Sequence, residues 1–328
     1  MKKNASPLAG NNGGRFAALT GRTEFTLGII IIALFLLASF LTPNFTSAYN
    51  LTNLLKQGAI VGVLAVAQTL IIITGGIDIS GGAIAGLGCM SMALLQTETN
   101  MPFWMTVVVC LVICLFCGFI NGLIIYDLRV PAMIATLGMQ TVIRGIVKLL
   151  SHGLNVTFTD DRILNLGTDK LFGVVPILAL IWLIVAVIAF VVLRYTVFGR
   201  NLYVIGSGMN VARLSGVKVR KMHYLVYAAA GLLYGIAAIM LAGRVQMAQP
   251  GGGEGYDMNA IAAAVIGGAS LAGGRGAVTG TLLGTLLMVI ISNAGTAFKI
   301  DPYILDVTTG ALIIFAVALD MLKSRKKG

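Results

Sequence analysis

Apolar residues in this chain fall into long blocks separated by short polar links. A helix that crosses a hydrocarbon layer needs about 20 such residues. Ten blocks of this kind lie at 25–42, 57–74, 79–96, 103–127, 131–150, 174–193, 224–243, 258–273, 276–295 and 303–319. They predict an all-α polytopic membrane protein with about ten transmembrane helices. The third and eighth blocks are short and Gly-rich. They are expected to be tilted, broken or shielded by neighbours, because irregular backbone cannot face lipid.

Composition agrees with this pattern. Hydrophobic residues make up 58% of the 328 positions and charged residues 11%, roughly half the charged share of a soluble domain. The net charge of +11 would suit a nucleic-acid binder, but the charge is not spread along a soluble face. It is concentrated in loops and tails, where the positive-inside rule uses it. The loop at 194–223 carries Arg194, Arg200, Arg213, Lys218, Arg220 and Lys221 and no acid. The tail at 320–328 adds Lys323, Arg325, Lys326 and Lys327, whereas the loop at 151–173 carries Asp160, Asp161 and Asp169 against Arg162 and Lys170. Ten crossings put both termini and 194–223 on one side, which the charge identifies as the cytoplasm, with 151–173 in the periplasm. The expected organisation is a cytoplasmic tail at 1–24, a transmembrane domain at 25–319 and a basic cytoplasmic tail at 320–328. A signal peptide is the competing reading of the start; the long polar lead and the missing cleavage site favour an uncleaved span.

Five spans per half would run in opposite directions, the inverted-repeat layout of many transporters. Each half has a short Gly-rich span after a Gly-Gly turn, Gly75-Gly76 in one and Gly251-Gly252-Gly253 in the other. Gly276, Gly280 and Gly284 are spaced four apart, as are Gly82 with Gly86 and Gly118 with Gly122. That spacing lets helix backbones approach closely in lipid.

No catalytic constellation is present, and no phosphate-cradling G-x-x-x-x-G-K-[ST] stretch. His152 and His223 are assigned to loops on opposite sides. Cys110, Cys114 and Cys117 share one helix face without His or acidic neighbours, so packing rather than metal binding is expected of them and of Cys89. The chain is read as a non-enzyme without cofactor or metal. The candidate translocation-path residues are Gln68, Asp78 and Asn121, since polar groups at bilayer depth are expensive and often functional. Asp78 or Ser80 would also serve as N-cap of the third span, and Gln68 and Asn121 as bonds between helices. Arg144 and Lys148 are expected to reach towards the membrane surface.

Within 194–223, Asn210 to Ser215 fits a short helix closed by Gly216, with Val211 and Leu214 as an apolar edge. Such a helix could dock into a partner's groove; the other reading is a topology signal alone. Several blocks then carry a resemblance: Pro43-Asn44-Phe45, Thr74-Gly75-Gly76-Ile77-Asp78-Ile79-Ser80, Phe198-Gly199-Arg200, Ala212-Arg213-Leu214-Ser215-Gly216-Val217, Ala248-Gln249-Pro250, Gly255-Tyr256, and Ile266-Gly267-Gly268-Ala269-Ser270-Leu271-Ala272-Gly273-Gly274. Together they span nearly the whole chain, which resembles the permease subunits of bacterial ABC importers for ribose, arabinose, xylose, galactosides, inositol and autoinducer-2. The resemblance implies an inner-membrane permease that pairs with a second permease copy or paralogue and an ATP-binding-cassette ATPase. A periplasmic solute-binding protein would deliver a sugar or similar small polar solute. It implies that Asn210, Val211, Ala212, Arg213, Leu214, Ser215 and Gly216 form the ATPase-coupling segment. Asn210-Val211 stands where Glu-Ala is usual, and Asn259 where an acid is common. An ion-gradient-driven carrier is the alternative; it needs a coupling acid near mid-bilayer, and only Asp78 and Asp306 are placed to serve.

Overall fold

The computed structural model describes residues 23–325. The expected N-terminal tail, apart from its last two residues, and the last three residues of the basic C-terminal tail lie outside them. The described residues form thirteen helices: α1 Thr23–Leu41, α2 Ala48–Ile73, α3 Gly81–Thr99, α4 Phe103–Asp127, α5 Ala132–Leu150, α6 Asp161–Thr168, α7 Ile177–Tyr195, α8 Val197–Ser207, α9 Met209–Leu214, α10 Val219–Val245, α11 Tyr256–Ile266, α12 Val278–Ala297 and α13 Pro302–Arg325. Four two-residue strands pair antiparallel, β1 (Val156–Thr157) with β4 (Met247–Ala248) and β2 (Lys170–Leu171) with β3 (Val175–Pro176). The molecule is an all-α polytopic membrane protein.

Every apolar block of the sequence falls on a helix, but the blocks are not equivalent. Among the described residues, seven helices are long and apolar enough to cross a membrane: α1, α2, α4, α5, α7, α10 and α12. The third block became α3, which is largely buried, and the eighth only the 11-residue α11. Residues 267–277, which take in the last seven residues of the eighth block as drawn, form an irregular link instead.

The 26-residue α2 is the axis of the bundle, buried along nearly its whole length. A helix apolar on all faces has to be surrounded, and α2 packs against α7, α10, α11 and α12. Its small residues make the room: the Trp182 ring of α7 lies against Gly62, and Val289 of α12 against Gly58. Polar pairs fix the register. The side-chain amides of Asn50 and Asn293 bond reciprocally at 2.9 and 3.0 Å. The Thr69 and Thr281 hydroxyls lie 2.6 Å apart.

Backbone-to-backbone contact marks the other crossings. On α4 and α10, a Cβ at Gly118 would collide with the Tyr227 carbonyl, and one at Gly231 with the Cys114 carbonyl. On α12, a Cβ at Gly280 would collide with the Gly267 carbonyl, and one at Gly284 with the Ala263 carbonyl of α11. Gly276 precedes α12 and faces Ile73 and Ala269, so it belongs to the link rather than to a helical row.

The 194–223 segment is helical almost throughout. Thr196 ends α7 and opens α8, its hydroxyl accepting from the Gly199 N–H at 3.1 Å. His223, assigned to a loop by sequence, lies buried inside α10, which starts at Val219. The reason is amphipathic packing: α8 is anchored by buried Leu202 and Ile205, and the start of α10 by buried Val219, Met222 and Val226.

Candidate functional site

Between α2 and α3 the chain turns through Thr74 to Ser80 and re-enters the protein interior. Gly75 takes φ +84°, a conformation natural to glycine, and Gly76 leaves no room for a side chain against the Tyr227 hydroxyl. The turn brings Gln68, Asp78 and Asn121 together, and all three are buried. Asp78 Oδ1 accepts from the Ser80 N–H at 2.8 Å and the Ser80 hydroxyl at 2.6 Å, and Oδ2 accepts from the Tyr234 hydroxyl at 3.2 Å. Asn121 Nδ2 donates to Ser80 Oγ at 2.9 Å, and Gln68 Nε2 donates to the Asp78 carbonyl and, at 3.3 Å, to Tyr234. Thr136 of α5 accepts the Ile79 N–H at 3.1 Å. Asp78 and Ser80 thus tie α2, α3, α4 and α10 together: the carboxylate holds Ser80 and Tyr234, the Asp78 carbonyl takes Gln68 and the Ser80 hydroxyl takes Asn121, polar groups that would otherwise be stranded in an apolar interior.

Of the two capping candidates, Asp78 bonds a backbone N–H at the start of the span, that of Ser80 at 2.8 Å. Ser80 occupies the cap position but makes no side-chain capping bond, and its hydroxyl turns to Asp78. Tyr227 and Tyr234, seven apart on α10, were missed in the sequence because they sit inside an apolar block. The available signal was chemical: a buried tyrosine usually finds a partner for its hydroxyl. Tyr234 has one, whereas the Tyr227 hydroxyl, Gln68 Oε1 and Asn121 Oδ1 have none among the described residues.

Within the first two turns of α3, Gly82 and Gly86 lie against the carbonyls of Gly253 and Gly252. Arg144 of α5 does not extend to the surface; its Nη1 donates to the Gly252 carbonyl at 2.6 Å. Nearby, Gln140 Nε2 donates to the buried Asp257 carboxylate at 3.2 Å. The two Gly-rich links therefore meet at the N-terminal end of α3.

A half-open cavity of about 670 Å³ lies where α2 and α4 end, α5 and α10 begin, and α9 crosses. Its wall includes Gly76 and Tyr227, so it reaches towards the Asp78 cluster. Arg220 pairs with Asp127 at 2.9 Å, and Tyr224 donates to the same carboxylate. Behind α9, the Gly206 backbone touches Ile73 and Gly274, so α8 rests directly on the ends of α2 and of the 267–277 link. Tyr203 of α8 donates to the Gly276 carbonyl at 2.8 Å, and burial pushes its phenol above the ordinary value, keeping it a neutral donor.

Of the seven residues of the 210–216 segment, Asn210 to Leu214 are helical in α9, Ser215 ends the helix, and Gly216 follows at φ +75° with its N–H on the Arg213 carbonyl at 3.0 Å. Ala212 is buried, whereas Val211 is 51% and Leu214 91% exposed. α9 thus turns one small residue inwards and leaves two apolar side chains at the surface.

Comparison with known proteins agrees with this architecture. Residues 50–317 match the family described as branched-chain amino acid transport system / permease component. The ribose import permease protein RbsC of Haemophilus influenzae is 34% identical over 319 residues, 96% of either chain. RbsC of Bacillus subtilis is 37% identical, covering 91% of this chain and 92% of its own. The galactose/methyl galactoside import permease protein MglC of Escherichia coli is 34% identical, covering 94% and 97%. These relatives are import permeases, and the ion-gradient alternative finds no support among them.

Proposed function

The chain belongs to the family of branched-chain amino acid transport system permease components, and from that premise we propose that it forms one half of the membrane pathway of an ATP-driven sugar importer. It is a multi-pass membrane permease of the ABC class. The sugar reading follows the names of its relatives, which are ribose and galactose permeases. ATP is hydrolysed on a separate subunit, and a periplasmic solute-binding protein delivers the solute.

The observation that carries the coupling role is the geometry of α9. Leu214 and Val211 project from a helix that rests, through α8, on the ends of α2 and of the 267–277 link. A push on α9 would reach the bundle axis through backbone contacts, with little side-chain slack. The Asp78 cluster is the brace that transmits this motion to α3, α4 and α10, so Gln68, Asp78 and Asn121 act on the path by setting its walls. A second copy or paralogue is the expected partner within the membrane. The face carrying α8 and α9 is cytoplasmic, with both termini, and the membrane is the inner one.

Energy source is the direct test. In cells lacking their own ribose and galactose permeases, this chain with its ATPase and solute-binding protein should restore uptake of one of these labelled sugars. Uptake should persist when an uncoupler collapses the ion gradients while ATP is maintained, and stop when ATP is depleted. The reverse pattern would refute ATP drive.

A further inference from the structure

The half-open cavity carries a charge that solute transport does not explain. We propose that it binds the phosphate of an acidic membrane lipid. Arg129, Arg213 and Arg220 line it against one acid, Asp127, and an adjoining cavity of about 480 Å³ adds Lys218 and Lys221. Asp127 is already held by Arg220 and Tyr224. Among the described residues no carboxylate pairs with Arg129, Arg213, Lys218 or Lys221. Helix ends do not change the sign. The carbonyl ends of α2 and α4 reach the cavity, but so do the amide ends of α5 and α10, and these partial charges of about one half each cancel. The uncancelled guanidinium groups are suited to phosphate oxygens, which they can hold in pairs.

Two further features favour a lipid over a free anion. The cavity lies at the ends of apolar spans, where headgroups lie, and exposed Leu128, Met133 and Ile134 flank it and offer contact to acyl chains. Arg129 also occupies a left-handed position (φ +56°) just past the end of α4, where glycine or asparagine is usual. An arginine there bears a backbone cost, and its guanidinium lines the cavity.

The test uses the purified full chain, with retained lipid measured by native mass spectrometry against phosphatidylglycerol, phosphatidylcholine and inorganic phosphate. Wild-type protein should retain phosphatidylglycerol over phosphatidylcholine. Each cation near a headgroup contributes about five-fold, so Arg129→Gln with Arg213→Gln should weaken phosphatidylglycerol binding about 25-fold. Arg200→Gln, a basic residue of α8 outside both cavities, should leave it unchanged. Equal retention by the double variant would overturn the proposal. So would complete displacement by millimolar phosphate, which would mark a free-anion site. Unchanged lipid with loss of the ATPase subunit would mark a protein-docking surface and also overturn it. If the double variant does not yield monodisperse protein, Arg129→Gln and Arg129→Lys decide: glutamine should weaken binding about five-fold and lysine much less, and equal binding by both and by wild type would refute the site.

Discussion

At the scale of single residues, Asp78 concentrates the most consequence in the fewest atoms. Its carboxylate receives three donors, from Ser80 twice and from Tyr234, in a fully buried setting. Asp78→Ala would strand all three, at about 1–3 kcal/mol for each unsatisfied group. The variant should melt well below wild type in detergent. Asp78→Asn keeps an acceptor for Ser80 and presents an amide to the Tyr234 oxygen, so it should lose much less. Equal melting of Asp78→Ala and wild type would show that the cluster does not hold the helices together. Glycines make the complementary case. Gly280→Ala drives a methyl into the Gly267 carbonyl and should lower the amount of assembled protein, whereas Gly145→Ala meets open space and should be neutral or slightly stabilising. Comparing membrane abundance of the two by immunoblot is sufficient; equal levels would contradict the α11–α12 crossing.

Among the elements, the long spans were legible and the interruptions were not. Hydropathy located every helix that crosses or nearly crosses the bundle, because lipid and a dry interior both demand apolar surface. It did not show that 194–223 is mostly helix. α8 and α9 are short, 11 and 6 residues, and the charged residues around them hide their apolar positions. It did suggest α9 itself, since Gly216 marks its end. The polar cluster was half legible. Gln68, Asp78 and Asn121 stood out as polar residues in apolar blocks, but nothing in their spacing indicated that one turn gathers them. Tyr234 and Thr136 join because of tertiary placement alone. Arg144 shows the limit of a surface-seeking rule: the Gly252 carbonyl, laid bare by a Gly-rich link, offers a nearer partner than the headgroup region.

For the whole molecule, the account joins an oriented bundle to a partner that moves it. Orientation is open to a simple check in a cysteine-free background. Ser207 and Thr159 are both exposed and lie in the segments assigned to opposite sides. A membrane-impermeant maleimide applied outside should label Thr159→Cys and not Ser207→Cys; the opposite result would invert the topology. The central claim is that α9 is where an ATPase grips the permease, and Leu214→Asp tests it most directly. Leu214 makes no internal packing that the change would remove, being 91% exposed, so the chain should insert and accumulate normally. An unpaired carboxylate pressed into an apolar groove costs several kcal/mol, enough to abolish docking at ordinary concentrations. The measurement is co-purification of the ATPase subunit with tagged permease, alongside ATP-dependent sugar uptake. The account predicts normal membrane abundance with both lost; retained co-purification with wild-type uptake would contradict it.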